Sequence, residues 1–168
     1  MIDGDASGEY ERILVENARY TEAFDGSALT AAPLSGLAII ACMDARLNIE
    51  LALGLRTGDA HIIRNAGGLA TDDAIRSIIV SQELLGTDEI LVVGHTFCGL
   101  AGADDDAIAT GLAARTGRRL DISFGAFEDV EDAVKASVER LRTHPWVRRV
   151  PVHGLVFDVR NGRLTEVA

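Results

Sequence analysis

The run Leu37-Ala38-Ile39-Ile40-Ala41-Cys42 is continuously apolar and ends at a cysteine. It is too short for a buried helix, and its length suits a central strand of a parallel sheet, which is buried on both faces. A second such run, Glu89-Ile90-Leu91-Val92-Val93-Gly94, follows a predicted helix at 71–85. That helix starts with the N-cap and acidic first turn of Thr71-Asp72-Asp73 and stops at Gly86. Strands that alternate with helices predict an α/β domain whose mainly parallel central sheet is flanked by helices.

The rest of the chain continues this alternation. Further helices are predicted at 9–24, 47–53, 100–116 and 128–143, and further strands at 60–64 and 154–159. Near the end, Asn161-Gly162 predicts a type I′ hairpin turn. A length of 168 residues suits one domain. We expect a single domain over 1–168, made of an N-terminal helical arm at 1–34 and an α/β core at 35–168.

The composition excludes several classes of protein. Apolar residues make up 48% and charged residues 25% of the chain, which is typical of a globular protein and not of a disordered one. No apolar run approaches the roughly 20 residues that span a bilayer. A net charge of −10 argues against nucleic-acid and anionic-membrane partners. The acidic start Met1-Ile2-Asp3-Gly4-Asp5 does not resemble a targeting segment, so a cytoplasmic location is expected.

Cysteine and histidine residues lie where two neighbouring strands are predicted to end. Cys42 closes the first run, and His95 and Cys98 follow the second, so they meet at the edge where parallel sheets bind ligands. Two thiolates and an imidazole are a preferred zinc ligand set, and three protein ligands leave a fourth position for water. Asp44 and Arg46, two residues apart in an extended turn, predict an ion pair beside the metal. Inert buried thiols are the alternative reading of the two cysteines.

These motifs carry a family resemblance. Cys42-Met43-Asp44-Ala45-Arg46, followed by His95-Thr96-Phe97-Cys98, resembles the zinc signature of the β-class carbonic anhydrases. Arg64-Asn65-Ala66-Gly67-Gly68 resembles that family's loop between the two zinc motifs, and 152–158 resembles its last core strand. The short chain is similar to the compact bacterial and archaeal subgroup.

The resemblance implies a zinc enzyme, a carbonate dehydratase of the lyase class. In that reading Cys42, His95 and Cys98 hold Zn²⁺, and zinc-bound hydroxide reversibly hydrates carbon dioxide to bicarbonate and a proton. Asp44, held by Arg46, accepts the hydrogen bond of the hydroxide and aims it at the substrate. In this family the aspartate also swings onto the metal as a fourth ligand, which closes the site. The sequence leaves both states of Asp44 open.

The substrate pocket is expected to involve the backbone around Ala66, Gly67 and Gly68, because glycine permits close approach of a substrate. Phe97 is also placed at this pocket and departs from the family pattern, in which a small or acidic residue is frequent there. An aromatic ring would make the entrance drier or narrower. Phe97 therefore leaves open an alternative function, that of a hydrolase of carbonyl sulfide or carbon disulfide with the same fold. A catalytically silent protein with a closed structural zinc site is the third hypothesis.

The family resemblance also implies a homodimer, often paired into a homotetramer, in which the helix at 9–24 packs on the partner subunit. Tyr10, Tyr20 and Phe24 on that helix need a covering surface. Arg64 is expected either to pair with a carboxylate across an interface or to face solvent. The run Asp104-Asp105-Asp106 is expected to form a solvated loop or the start of a helix.

Overall fold

The structure is a computed structural model that describes residues 8–119 and 122–168. The chain divides into two compact units, with the division after Thr30. The first unit contains helix α1 (Glu9–Thr21), which ends three residues before the predicted boundary. The second unit, Ala31–Ala168, contains the sheet and the other helices. The expectation of one domain with an arm at 1–34 stays a prediction.

The second unit is organised around a single five-stranded sheet. Its strands are β1 (Leu37–Cys42), β2 (Ala60–Asn65), β3 (Glu89–His95), β4 (Val152–Phe157) and β5 (Leu164–Glu166). Their order across the sheet is β2-β1-β3-β4-β5, and only β5 runs antiparallel to its neighbour. The predicted mainly parallel α/β fold is confirmed, with β1 between β2 and β3 as a central strand.

The helices described in this unit are α2 (Ile49–Leu53), α3 (Asp72–Leu85), α4 (Asp105–Thr116) and α5 (Val130–Thr143), and a 3₁₀ turn spans Ala66–Gly68. Helices α2, α3 and α5 supply core residues, whereas α4 has no buried residue. One face of the sheet packs its side chains, such as Ile40 and Val92, against Ile78 of α3 and Val138 of α5. Each of these side chains is removed almost completely from water, which stabilises the fold by about 1.5–3 kcal/mol per side chain. The other face packs on Leu47 and the α2 segment.

Local capping chemistry explains why α3 was predicted to within one residue. The Thr71 hydroxyl accepts a hydrogen bond from the backbone N–H of Ala74, and Gly86 ends the helix in the left-handed conformation. The predicted start of α4 at residue 100 is wrong. The helix begins at Asp105, because the Asp104 carboxylate caps it. The residues before it form turns and a bridge between Ala101 and Phe127.

The predicted type I′ turn at the final hairpin is also wrong. That turn requires positive φ at both central residues, and among the described non-glycine residues only Phe97 has positive φ. The Asp158 N–H donates to the Arg163 carbonyl, and the Gly162 N–H donates to the Asp158 carbonyl. The loop is therefore longer than two residues, and Gly162 alone takes the left-handed conformation, with φ of 75°.

Across the described residues, no helix combines the length and the apolar character that crossing a membrane requires.

Candidate metal centre

Three metal-ligand atoms meet at the carboxyl edge of the sheet. Cys42 ends β1, His95 ends β3, and Cys98 lies in the turn after β3. Their two sulfur atoms and one imidazole nitrogen all lie within 4.8 Å of one another, and all three residues are buried. Because β1 and β3 pair directly, with Ala41 opposite Val93, their ends lie side by side. The juxtaposition expected from the sequence is present in the structure.

The hydrogen bonding of His95 defines which of its nitrogens is available. Its Nδ1 lies 2.9 Å from the carbonyl oxygen of Thr96, which only accepts hydrogen bonds, so Nδ1 carries the proton. Nε2 is then a lone-pair acceptor, and this buried atom has no hydrogen-bond partner in the described structure. An unsatisfied buried acceptor costs roughly 1–3 kcal/mol. A metal ion on Nε2 satisfies it, and a carbonyl on the other ring nitrogen is the usual support of a metal-binding histidine.

The donor set suits zinc. Two thiolates and one imidazole are ligands that zinc prefers over hard, all-oxygen sites. Burial raises the pKa of the Cys98 thiol, so a bound cation is needed to stabilise its thiolate at neutral pH. The residues present therefore fit the metal that their chemistry implies.

Asp44 and Arg46 form a bidentate ion pair beside these ligands. Arg46 Nε donates to Asp44 Oδ1 at 2.9 Å, and Nη2 donates to Oδ2 at 2.7 Å. The Arg46 backbone N–H also donates to Oδ1. These hydrogen bonds, led by those from the Arg46 side chain, hold the pKa of the Asp44 carboxyl far below its usual range. Asp44 Oδ2 lies 3.8 Å from His95 Nε2, so the ionised carboxylate borders the ligand cluster.

Arg64 is a supporting residue whose role sequence reasoning missed. Its Nε donates to the carbonyl of Cys42 at 3.0 Å, and its Nη2 donates to the carbonyl of Asp44 at 2.7 Å. Arg64 therefore holds the segment that carries Cys42 and the Asp44–Arg46 ion pair. Arg64 is also exposed, as one of the two expected readings has it, and a carboxylate partner across an interface stays a prediction. The available signal was its place one residue before the end of β2, where β2 pairs with the end of β1.

The 3₁₀ turn at Ala66–Gly68 packs against the ends of two strands. Gly68 has φ of 67°, and a Cβ at this position would lie 2.8 Å from the Cys42 nitrogen and 3.0 Å from the Val93 carbonyl oxygen. Gly67 and Gly68 are buried, whereas Ala66 is exposed. The close approach thus places the turn directly on the backbone of Cys42.

Substituting Gly68 by alanine should destabilise the protein strongly. The added methyl meets two backbone atoms at short range and also disfavours the positive φ, so a loss of about 2–4 kcal/mol is expected. Urea unfolding of the two proteins measures this loss. Gly86→Ala is the matched control, because its φ of 79° is similar and no atom lies within 4 Å of the added Cβ. Equal losses in the two variants would contradict the steric explanation.

A cavity of about 750 Å³ adjoins this turn and contains Ala66 in its wall, together with Leu69, Phe124 and Arg140. Gly67, Gly68 and Phe97 do not line it. Phe97 instead exposes 63% of its surface. Of the predicted pocket residues, Ala66 therefore lines this cavity and the other three do not, and the assignment of all four to a substrate pocket stays a prediction.

One wall of this cavity is organised by Asp105. Its carboxylate accepts hydrogen bonds from the backbone N–H groups of Phe124, Gly125 and Ala126 and from the Ser123 hydroxyl. These hydrogen bonds, first that from Ser123, lower the pKa of the Asp105 carboxyl. The aspartate run is a helix start, as one of the two readings expected. The second aspartate, however, binds a distant loop, which spacing along the sequence does not reveal.

Comparison with known proteins finds relatives that cover most of this chain. A sequence model described as carbonic anhydrase matches residues 37–117. Beta-carbonic anhydrase 1 of Mycobacterium tuberculosis is 42% identical over 155 residues, which cover 92% of this chain and 94% of that protein. A carbon disulfide hydrolase of Acidithiobacillus thiooxidans is 38% identical over 75% of this chain and 74% of its own length. The crystal structure of carbonic anhydrase from Streptococcus mutans superposes with a TM-score of 0.91 at 36% identity, covering 96% of this chain and 98% of that one.

The mainly parallel sheet with a buried Cys–His–Cys cluster at its carboxyl edge makes this an α/β protein with a group that could hold a metal ion. The chain belongs to the β-carbonic anhydrase family of enzymes.

Proposed function

We propose that the protein is a zinc enzyme that reversibly hydrates carbon dioxide to bicarbonate and a proton. The observation that carries this proposal is the buried, unpartnered His95 Nε2, which lies among two thiols and beside an ionised aspartate. Cys42, His95 and Cys98 are the proposed ligands of the metal. When bound, zinc supplies a Lewis acid that makes a hydroxide nucleophile available near neutral pH.

Asp44 is the proposed acceptor that orients this nucleophile. Its Oδ1 already accepts two hydrogen bonds from Arg46, whereas Oδ2 accepts one and retains a free lone pair. Oδ2 is also the oxygen that borders His95 Nε2. A hydroxyl proton directed at Oδ2 leaves the oxygen lone pair free to attack the carbon of a linear, apolar substrate.

Arg46 and Arg64 are proposed to position Asp44. Arg46 keeps the Asp44 carboxylate charged by donating hydrogen bonds to it. The charged carboxylate in turn keeps an acceptor on Oδ2. Arg64 holds the main chain on either side of residue 43. The ion pair between Asp44 and Arg46 supports the open state, of the two states of Asp44 that the sequence leaves open.

Carbon disulfide or carbonyl sulfide is the second candidate substrate. One observation favours these substrates, the sequence identity of 38% to a carbon disulfide hydrolase. Carbon dioxide ranks first, because the β-carbonic anhydrase relative is more similar and covers more of this chain. The same aspartate and metal ligands would serve carbon dioxide and the sulfur compounds alike. Which of them is the substrate therefore depends on access to the site.

The test is stopped-flow hydration of carbon dioxide by protein with one measured zinc per chain, at neutral and mildly alkaline pH. Sulfide release from carbon disulfide is measured on the same preparation. Rapid hydration supports the proposal. Sulfide release without hydration moves the assignment to the sulfur substrates, and no turnover of either substrate by the zinc-loaded protein supports the silent zinc protein.

A homodimer is the proposed minimum assembly, and a cytoplasmic location remains the expected one. Helix α1 exposes more than half of Tyr10, Ile13 and Leu14, which lie on one side of the helix. Monomeric proteins rarely expose a contiguous apolar patch of this kind, and a second copy of the chain is the partner expected to cover it.

Light scattering at micromolar concentration should therefore give at least twice the mass of one chain. Leu14→Glu is expected to lower that mass to the monomer, because it places a charge in the proposed interface. Arg19→Ala, on the opposite side of the helix from Tyr10, is the control that should not change the mass. A parent protein with the mass of one chain would contradict the proposed homodimer.

A further inference from the structure

Phe97 has a backbone conformation that its residue type disfavours. Its φ of 55° lies in the left-handed region, and it is the one described non-glycine residue with positive φ. A side chain in this conformation crowds the following carbonyl, so surrounding contacts must hold it. The ring itself is largely exposed and is not wedged into the core.

This conformation determines the directions in which the carbonyl groups of Thr96 and Phe97 point. The Thr96 carbonyl accepts the hydrogen bond from His95 Nδ1 at 2.9 Å. The Phe97 carbonyl accepts a hydrogen bond from Arg46 Nη2, also at 2.9 Å. The left-handed turn at Phe97 thus lets one short segment orient a proposed metal ligand and the arginine that holds Asp44.

The loop between β4 and β5 holds this segment from the other side. The Arg160 guanidinium lies over the Phe97 ring, 5.0 Å from its centroid, and Arg160 is itself paired with Asp158. The Thr96 hydroxyl donates to Asp158 at 3.4 Å and accepts from the Val159 N–H at 3.2 Å. A cation over an aromatic ring is attracted to it even at an exposed site.

We propose that Phe97 is a positioning residue, whose left-handed backbone, held by Arg160, aims its carbonyl at Arg46 and so orients Asp44. This role belongs to the backbone of Phe97 and is separate from the predicted place of its ring at a substrate pocket. The inference deepens the proposed function, on which its kinetic consequence rests, but its structural consequence is independent of the substrate.

Two substitutions separate the backbone from the ring. Phe97→Gly removes the ring and accepts positive φ freely, whereas Phe97→Val removes the ring and, being β-branched, resists positive φ. In zinc-loaded protein with ¹⁵N-labelled arginine, we measure hydrogen exchange of the Arg46 Nε–H. The parent and Phe97→Gly should protect this proton, and Phe97→Val should exchange it about tenfold faster or more. Equal protection in Phe97→Gly and Phe97→Val, or equal loss, would overturn the proposal.

Kinetics supply the second readout. Phe97→Val should lower kcat about tenfold relative to Phe97→Gly with little change in KM, since one hydrogen bond to a charged group is lost. In an Arg46→Lys background the difference between the two variants should disappear, because Phe97 acts through Arg46. A difference that persists in that background reflects general destabilisation and overturns the proposal. If the parent does not turn over carbon dioxide, the proposed function fails while the exchange experiment still decides this inference.

A third pair of variants avoids residue 97, in case Phe97→Val does not fold. Arg160→Ala removes the cation from the ring and should increase Arg46 Nε–H exchange. Arg163→Ala lies in the same loop, and the side chain of Arg163 makes no hydrogen bond or ion pair in the described structure. It should leave the exchange unchanged. Equal exchange in Arg160→Ala and Arg163→Ala would show that Arg160 does not hold the turn.

Discussion

Replacing Cys98 by serine is expected to abolish stoichiometric zinc binding and to lower carbon dioxide hydration by roughly a thousandfold or more. Serine has nearly the same shape but is a poor zinc ligand, so one of three anchoring atoms is lost. Without zinc the pKa of the attacking water stays far above the neutral range, and the hydroxide nucleophile becomes scarce. Elemental analysis of zinc and stopped-flow hydration on the same preparation measure the two effects.

Gly99→Ser is the matched control for this experiment. It places the same serine one position further along, where no atom lies within 4 Å of the added Cβ and φ is not positive. Zinc content and rate should both remain close to those of the parent. A Cys98→Ser protein with one zinc per chain and the parental rate would remove Cys98 from the ligand set.

Replacing Asp44 by asparagine is expected to lower the rate about a hundredfold while zinc remains bound. The amide has the shape of the carboxylate but carries no charge, and its NH₂ group would face the donors of Arg46. The pair therefore breaks and the acceptor for the nucleophile is lost. The ratio of rate to zinc content is the measurement, because it separates a change in chemistry from a change in metal binding.

Asp106→Asn is the control for the loss of one negative charge, because Asp106 is highly exposed and its ion pair is with Arg119. It should retain the parental rate. An Asp44→Asn protein as active as Asp106→Asn would show that Asp44 does not orient the nucleophile. In the parent, the lowered pKa of Asp44 keeps its carboxylate ionised throughout the neutral range, so its own titration should not limit the rate there.

The elements that sequence alone predicted well are those with a single dominant signal. The apolar run of β1 was predicted with both of its ends, and β3 was predicted to within one residue. The capping residues Thr71 and Gly86 mark both ends of α3 in the sequence. The start of α4 was missed because residues 100–104 make turns through contacts with distant residues such as Phe127. No periodicity along the chain records such contacts.

The candidate site likewise has features that the sequence predicts and features that it does not. The ligand types and the Asp44–Arg46 pair follow from residue identity and from strand ends, so they were available in advance. The contacts of Arg64 and Phe97 involve backbone carbonyls, which every residue carries. Sequence cannot mark which carbonyl a guanidinium will reach, since that depends on the register of β1 with β2 and on one unusual φ angle.

Cys42 lies far from His95 and Cys98 along the chain, and it meets them because β1 pairs in parallel with β3. Neither strand end can gather all three ligands by itself, so the chain must complete a non-local pairing before any metal is captured. This order is the reverse of that in small zinc domains, where the ion is needed for folding. We therefore expect a metal to enter a protein that is already folded. Circular dichroism after treatment with a chelator should show a folded protein, which elemental analysis should show can be reloaded with zinc.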